Sequence, residues 1–300
     1  MKFKELKELN LYHNKISNIK VIEKFQKLEK LNLGYNQISN NINKLESVNL
    51  KELKELDLYL NNISDIKVLE KFQKLEKLNL GGNPISDNIE ILENVNFKEL
   101  KELNLFNNNI SDIKVLEKVK FEKLEKLELQ INKIYDLNVL GKVNFPELRT
   151  LYLFDNKISN INILEKVKFD KLEILDLSWN KISDINILEK VNFKKLKKLI
   201  LKLNKISDIK VLEKVKFENL ILLDLEYNNI SDINVLEKVN FKDLKELNLG
   251  VNKIIDIKVL EKVSFEKLEK LNIHNNSFNI NEYEETLEFL KSKINSVYYY

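Results

Sequence analysis

One pattern, L-x-x-L-x-L-x-x-N-x-I, recurs along almost the whole chain and constrains the fold more than any other feature. Its asparagine returns after 22 or 25 residues in the first repeats and every 24 residues thereafter. Units this short cannot each enclose a core, so they must stack and share one. The chain therefore predicts a solenoid of twelve repeats, whose asparagines are Asn14, Asn36, Asn61, Asn83, Asn108, Asn132, Asn156, Asn180, Asn204, Asn228, Asn252 and Asn276.

The first half of each repeat predicts a strand followed by a turn. Successive side chains of a strand face opposite sides, so Leu175 and Leu177 are expected to point into the core and Asp176 outward. The asparagine then turns the chain, and its side chain is suited to pair with backbone groups that the turn leaves unpaired. Stacked repeats should align these asparagines into a ladder.

The second half of each repeat predicts a short helix and a buried ring. Between Ser183 and Phe193, either Ser183 or Asp184 is suited to cap the helix, and aliphatic residues give it an inward stripe. One phenylalanine closes each repeat, and we expect these rings to form a spine that contributes about 1.5–3 kcal/mol per ring. The spine comprises Phe3, Phe25, Leu50, Phe72, Phe97, Phe121, Phe145, Phe169, Phe193, Phe217, Phe241 and Phe265.

The repeat resembles a known family. It is similar to leucine-rich repeats of the phosphatase-regulatory and internalin-like classes in segments such as LKELNLYHNKISNI, LEILDLSWNKISDI and LILLDLEYNNISDI, here with a mostly 24-residue period. The resemblance implies an α/β fold: a right-handed solenoid curved into a horseshoe, with a parallel β-sheet on the concave face. It places short helices or 3-10 turns on the convex face. It also implies a binding role, usually without catalysis.

The repeat predicts a single domain. Only two prolines and five glycines interrupt the chain, and no stretch has the composition of a linker. We expect the solenoid at residues 1–278 and a capping helix with a tail at residues 279–300 of the same domain. The helix is indicated between Asn281 and Ile294, where Asn281 with Glu284 resembles a capping box.

At the N-terminus, the pattern begins at Leu6 without a comparable cap. We expect this edge to be covered by further sequence, by another subunit or by a short unconventional arrangement. Self-association through the uncapped N-terminal edge is therefore one predicted interaction.

The sequence predicts a cytoplasmic protein. No basic-then-apolar signal segment precedes the repeats, and no apolar run approaches the roughly 18 residues of a membrane span. The absence of cysteine excludes disulfides, thiolate metal sites and a cysteine nucleophile. A secreted or surface location is the alternative if a leader has been removed.

Charge and titratable residues argue against nucleic-acid binding and catalysis. The formal net charge is +3, without the basic excess expected of a binder of nucleic acid or membrane. His13 and His274 stand in the first and last repeats, and the sequence around Asp176 and Asp224 predicts no pocket that would raise their pKa. We therefore predict no enzyme, no catalytic residue, no metal site and no cofactor, and neither nucleic acid nor membrane as a partner.

Alternating charges occupy the first two outward positions of the strand. Lys7 and Glu8 are followed by Glu29 and Lys30, and the order reverses in each repeat as far as Lys126. Neighbouring strands lie about 4.8 Å apart, so each lysine should have a glutamate beside it. We expect a self-neutralising charge ladder.

The ladder stops between Arg149 and Tyr227, where large apolar residues enter an otherwise polar face. An apolar patch with a polar rim is typical of an interface, and Trp and Tyr are enriched among the residues that dominate binding. We predict that the concave face of repeats seven to ten binds a protein. Its apolar members are Tyr152, Phe154, Ile174, Trp179, Ile200, Leu203, Leu222 and Tyr227. Its charged members are Arg149, Asp155, Asp176, Lys197, Lys202, Asp224 and Glu226.

These observations favour a protein-protein interaction scaffold or regulatory binding module whose partner is a protein. The alternatives are a surface adhesin or recognition ectodomain of internalin-like type and a self-assembling structural repeat protein. A second aromatic line, formed by Tyr12, Tyr35, Tyr59 and Phe106, either extends the binding surface or packs across strands.

Overall fold

The structure is a computed structural model that describes residues 5–300, apart from the side chain of Asn40. The chain divides into two compact units, the first ending at Leu151 and the second beginning at Tyr152. Phe3, a predicted member of the spine, lies outside the described residues. The single-domain organisation with its boundaries at 1–278 and 279–300 stays a prediction.

The repeats of the first unit contribute one short strand each to a parallel sheet. Each strand pairs with the next in chain order, and equivalent positions of the repeat face each other, as Leu31 faces Leu56. β7 (Thr150–Tyr152) lies where the two units divide. The other strands are β1 (Glu8–Asn10), β2 (Lys30–Asn32), β3 (Glu55–Asp57), β4 (Lys77–Asn79), β5 (Glu102–Asn104) and β6 (Lys126–Glu128).

The second unit repeats this arrangement. Leu199 faces Leu175 on one neighbouring strand and Leu223 on the other, so the register again follows the repeat. Its strands are β8 (Ile174–Asp176), β9 (Lys198–Ile200), β10 (Leu222–Asp224), β11 (Glu246–Asn248), β12 (Lys270–Asn272) and β13 (Ser296–Tyr298).

A short 3-10 helix occupies the return segment of the repeat. Its entry is fixed by Asp184, whose Oδ1 accepts a hydrogen bond from the backbone N–H of Asn186 at 2.8 Å. Of the two residues that the sequence indicated, Asp184 makes this contact, but it lies one residue before the N-cap position, which Ile185 occupies. The helices of the first unit are Lys20–Lys24, Ser39–Ser47, Lys67–Lys71, Ser86–Glu93, Lys114–Glu117 and Asn138–Gly141. Those of the second are Asn162–Glu165, Asn186–Glu189, Lys210–Lys214, Asn234–Lys238, Lys258–Glu261 and Ile280–Tyr283.

The core lies between the strands and the 3-10 helices. Leu175 and Leu177 are fully buried, as the alternation of the strand predicts. The spine residues from Leu50 to Phe265 are buried, whereas Phe25 is half-buried. The rings of Phe97 and Phe121 stack at 6.1 Å between centroids. The predicted α/β repeat stack with parallel strands and short returning helices is confirmed.

The asparagine ladder holds consecutive repeats together. The Nδ2 of Asn180 donates to the carbonyls of Leu177 (3.1 Å) and Ser178 (2.9 Å) in its own repeat and to that of Leu153 (3.0 Å) in the preceding one. Its Oδ1 accepts from the N–H of Ile158, also in the preceding repeat, at 2.9 Å. The predicted ladder is confirmed, and each such asparagine pairs backbone groups that a buried turn would otherwise leave without partners.

An α-helix near the C-terminus, α1 (Glu284–Lys293), occupies most of the segment predicted to be helical. The predicted capping box of Asn281 and Glu284 is wrong. The chain first makes the 3-10 turn Ile280–Tyr283, so the cap moves to Asn279, whose Oδ1 accepts from the N–H of Asn281 at 3.1 Å. Among the described residues, no helix combines the length and apolarity needed to span a membrane.

Candidate protein-binding surface

The outward positions of L-x-x-L-x-L-x-x-N form what we call the strand face of each unit. The predicted binding residues from Tyr152 to Tyr227 lie on the strand face of the second unit, at the end of β7, on β8 to β10 and in the turns beside these strands. Arg149 belongs to the first unit, where its guanidinium lies 4.0 Å from the Glu125 carboxylate and its N–H donates to the Glu125 carbonyl. Arg149 is therefore described with the first unit.

The apolar members differ in their exposure. Trp179 and Tyr227 are the most open, with 56% and 43% of their surfaces exposed. Leu203 lies in the turn between them and is half-buried. The remaining apolar members, which are also half-buried, are Tyr152, Phe154, Ile174, Ile200 and Leu222. The result is an apolar surface with two prominent aromatic side chains.

The backbone at these turns is in the left-handed region. Trp179, Leu203 and Tyr227 have φ of 53°, 55° and 54°, and each immediately precedes a ladder asparagine. Bulky residues are uncommon in this conformation and cost about 1–3 kcal/mol there, whereas Gly82 fills the same position in repeat four without that cost. The turn geometry belongs to the repeat, and large apolar side chains also occupy this position at Tyr35, Leu60 and Ile131.

Two carboxylates of the site are more buried than the sequence suggests. Asp176 is only 9% exposed, and its Oδ1 accepts from both the N–H (2.9 Å) and the hydroxyl (2.5 Å) of Ser178. The Oδ1 of Asp224 accepts from the N–H of Glu226 at 3.0 Å. Burial raises the pKa of Asp176 and of Asp224 despite these hydrogen bonds. The expectation that no surroundings raise their pKa is wrong, because each side chain folds back against the end of its own strand.

Lys202 and Glu226 form a pair at the centre of the surface. Glu226 is only 6% exposed, and the Lys202 ammonium contacts its carboxylate while lying 5.3 Å from the centroid of the Tyr227 ring. Burial is the largest single influence and opposes the charge on Lys202, but the hydrogen bond to Glu226 and the Coulombic attraction of Glu226 and Asp224 together raise the pKa of Lys202. The Lys202 ammonium is thus already paired with a carboxylate within the site.

Sequence reasoning missed His274, which reaches this pair from β12's turn. Its Nε2 lies 3.7 Å from the Glu226 carboxylate. The ring crosses Gly250, where an added Cβ would lie 2.5 Å from the His274 ring. Gly250 therefore leaves the space through which His274 approaches Glu226. The sequence signal that could have predicted this contact is the glycine at an outward position of the repeat.

The charge ladder is confirmed and extends further than predicted. In the first unit, the Glu29 carboxylate lies 2.8 Å from both Lys7 and Lys54, and hydrogen bonds from these lysines, that of Lys54 foremost, lower the pKa of Glu29 to about 2. In the second unit, Lys197 pairs with Glu173 at 2.6 Å. Lys197 therefore belongs to the ladder as well as to the predicted site.

The aromatic line of the first unit serves cross-strand packing. An added Cβ at Gly34 would lie 3.0 Å from the Tyr12 ring, and one at Gly81 would lie 3.2 Å from the Tyr59 ring. These tyrosines cover the space above glycines on the neighbouring strand. Beside them, a groove of about 590 Å³ is lined mainly by ladder charges and carboxamides of β1 to β5. Among residues 5–300, no group of three histidine, aspartate or glutamate side chains is placed to hold a metal ion.

The chain belongs to the leucine-rich repeat family. The family model described as leucine-rich repeats in two copies matches residues 4–49, 51–94 and 146–190, and a single-repeat model matches residues 99–113. No protein with a curated description matches the sequence. Family membership accounts for the spine, the ladder and the parallel sheet described above.

Solved structures show the same fold. An internalin, inlF, from Listeria monocytogenes is 31% identical with a TM-score of 0.84, covering 99% of this chain and 81% of that one. A leucine-rich-repeat protein of Leptospira interrogans is 24% identical with a TM-score of 0.76, covering 98% and 78%. The ectodomain of the Arabidopsis thaliana receptor kinase GASSHO1/SCHENGEN3, in complex with CASPARIAN STRIP INTEGRITY FACTOR 2, is 21% identical with a TM-score of 0.58, covering 91% and 39%.

Proposed function

We propose that this chain is a protein-binding module and that it holds its partner on the strand face of the second unit. Leucine-rich repeats generally mediate protein-protein interaction, which supports the class of function. The location of the site rests on one observation: Trp179 and Tyr227 stand exposed beside Leu203, where Ile174, Ile200 and Leu222 replace polar residues at neighbouring outward positions.

The energetics of binding favour these side chains. Exposed aromatic residues gain a large apolar burial when a partner covers them, and they lose little side-chain entropy. The left-handed turns hold Trp179, Leu203 and Tyr227 before binding, so little backbone ordering opposes association. Lys202 and Glu226 provide a polar centre whose geometry is already fixed by their mutual contact.

The partner in this proposal is a protein rather than a nucleic acid or a membrane. The near-balance of 50 basic and 47 acidic residues supports that choice, because phosphate-rich partners select basic surfaces. A regulatory scaffold inside the cell is the first version of the proposal, and the absence of cysteine favours a reducing compartment.

A surface recognition module is the second candidate. It is supported by the 31% identity to an internalin over 99% of the chain. Protease treatment of intact source cells separates the two versions, since a surface protein is degraded while a cytoplasmic one is protected. Self-association through the N-terminal edge stays a separate prediction, which sedimentation over a range of concentrations tests.

The test of the proposal is affinity capture from source cells with the wild type and a Trp179→Ala, Tyr227→Ala double variant. Each such anchor contributes about 2 kcal/mol or more to an interface, so removing both should lower the affinity for a specific partner by at least about a hundredfold. The melting temperature should stay near that of the wild type, because both side chains are exposed.

The control is Tyr35→Ala, with the affinity of the partner measured again on purified proteins. Tyr35 has the same left-handed backbone as Tyr227 and a similar exposure of 45%, but it lies in the first unit. A partner lost by the double variant and retained by the control supports the proposal. A partner retained at full affinity by a folded double variant contradicts it.

A further inference from the structure

A buried carboxylate and a half-buried one flank an apolar residue within the candidate surface. Asp176 on β8 and Asp224 on β10 both face Ile200 on β9 in the strand register. Neighbouring strands lie about 4.8 Å apart, so the two aspartates stand about 10 Å apart across Ile200. One group placed above Ile200 can therefore approach both carboxylates.

The same region carries an excess of negative charge. Asp176, Asp224 and Glu226 contribute three formal negative charges, against the two positive charges of Lys202 and of Lys198, which precedes Ile200 by two residues on β9. The Lys202 ammonium is already in contact with Glu226. Among the cationic side chains of residues 5–300, none lies within ion-pair distance of either aspartate, and Lys202 attracts Asp224 only from farther away. Within the part of the chain that the structure describes, neither aspartate therefore has an ion-pair partner.

The hydrogen bonds of the two aspartates come from neutral donors. Ser178 donates to Asp176 through its N–H and its hydroxyl, and the N–H of Glu226 donates to Asp224. Burial raises the pKa of both carboxyls, so their ionised forms are less stable here than in water. A cation that docks against them would offset this desolvation and gain affinity from it.

The surroundings favour a guanidinium over an ammonium. A guanidinium is planar and weakly hydrated, donates from more than one edge, and stacks on aromatic rings. Ile200 provides an apolar floor, and Trp179 and Tyr227 stand exposed in the turns that follow β8 and β10. An ammonium would have to give up a stronger hydration shell for the same contacts.

We propose that the protein partner inserts an arginine side chain over Ile200, between Asp176 and Asp224. This inference rests on the proposed binding role of the surface and names the residue type that the surface recognises. The arginine pairs with a carboxylate on each side, and apolar neighbours in the partner contact Trp179 and Tyr227.

The probe is a library of random linear peptides displayed on phage and selected on the full chain. Selected peptides are then synthesised in two forms, with arginine and with citrulline, which has the same shape without the charge. Their affinities are measured on the wild type and on an Asp176→Asn, Asp224→Asn variant. Asparagine occupies the same repeat position in Asn248 and Asn272, so this variant keeps the fold.

The matched control is Asp57→Asn in the first unit. Asp57 occupies the same repeat position, and burial raises its pKa as well. We expect peptides enriched in arginine that lose at least about tenfold in affinity on citrulline substitution, as expected for charge-assisted hydrogen bonds. We expect the Asp176→Asn, Asp224→Asn variant to bind the arginine and citrulline peptides equally well. The Asp57→Asn variant should retain the preference for arginine.

The outcomes separate this inference from the proposed function. Peptides that depend on Trp179 and Tyr227 but bind equally well with citrulline overturn the arginine assignment and leave the binding surface in place. Discrimination that survives in the Asp176→Asn, Asp224→Asn variant overturns it too. If no selected peptide depends on Trp179 and Tyr227, the proposed function and the arginine assignment are both wrong.

Discussion

The strand faces of the two units carry different side chains on the same repeat. In the first unit, Lys54 pairs with Glu29, and Tyr12 covers Gly34, so outward residues mainly interact with one another. In the second unit, the outward positions held by Ile200 and Trp179 leave apolar surface in contact with water. The contrast teaches that the repeat determines the inward positions and leaves the outward ones open to other uses.

The contrast is clearest at the outward position between the second and third leucines of the repeat, because both units have an aspartate there. Asp57 faces Asn32 and Asn79 on its neighbouring strands, and both are carboxamides. Asp176 faces Ile200 on β9, and Asp224 faces Ile200 on one side and the carboxamide of Asn248 on the other. The same carboxyl group therefore lies among hydrogen-bonding side chains in one unit and beside an aliphatic one in the other.

The largest losses of stability on mutation should be equal in the two units, because the buried core is alike in both. Phe121→Ala in the first unit and Phe217→Ala in the second each remove a buried ring and should lower the free energy of unfolding by about 3–5 kcal/mol. Urea unfolding followed by circular dichroism measures both. A much smaller loss at either residue would show that the units do not share one kind of core.

The ladder asparagines should give an intermediate effect, again similar in both units. Asn61 and Asn180 each donate to three backbone carbonyls through Nδ2. Replacement by alanine leaves buried backbone groups unpaired and should cost about 1–3 kcal/mol in unfolding free energy. Lys181→Ala, at an exposed side chain beside Asn180, is the control and should leave the unfolding midpoint unchanged.

The smallest effects concern the pH dependence of stability, and here the buried aspartates of the second unit and the ion-paired Glu29 of the first should differ in sign. The pKa of Asp176 and Asp224 is raised in the folded chain, so their contribution to stability is present at low pH and is lost as the pH rises through the folded pKa. The pKa of Glu29 is lowered to about 2, so its contribution is present above the ordinary glutamate pKa and is lost as the pH falls towards about 2.

Thermal melts across the acid range test this difference. The Asp176→Asn, Asp224→Asn variant should gain stability relative to the wild type as the pH rises towards neutrality. Glu29→Gln should lose stability there and match the wild type only near pH 2. Parallel pH profiles for the two variants would contradict the contrast between a buried carboxylate and a paired one.

Most of the fold follows from the repeat because its determinants are local. The alternation around Leu175 predicts the strand, Asp184 predicts the start of the 3-10 helix, and the spacing of the asparagines predicts the ladder. Parallel stacking places equivalent residues side by side, so the pairing of Lys54 with Glu29 was predictable from register alone.

The rest depends on contacts that the repeat does not specify. The burial of Asp176 depends on how its side chain folds back onto Ser178, and the approach of His274 to Glu226 depends on the missing side chain at Gly250. The cap at Asn279 depends on a 3-10 turn that precedes α1. The sequence located the apolar residues of the candidate surface but not the polar contacts that hold its centre.

The hydrogen bonds of the asparagine ladder run from each repeat to the preceding one. Asn180 reaches back to Ile158 and Leu153, so a repeat relies on its successor to pair part of its own backbone. A cut between these two repeats would strip the N–H of Ile158 of its acceptor on one side and, on the other, the N–H of Lys181 of its acceptor, the Ile158 carbonyl. Both new ends should therefore fray, and a shortened array is most stable where a foreign cap supplies these hydrogen-bond partners.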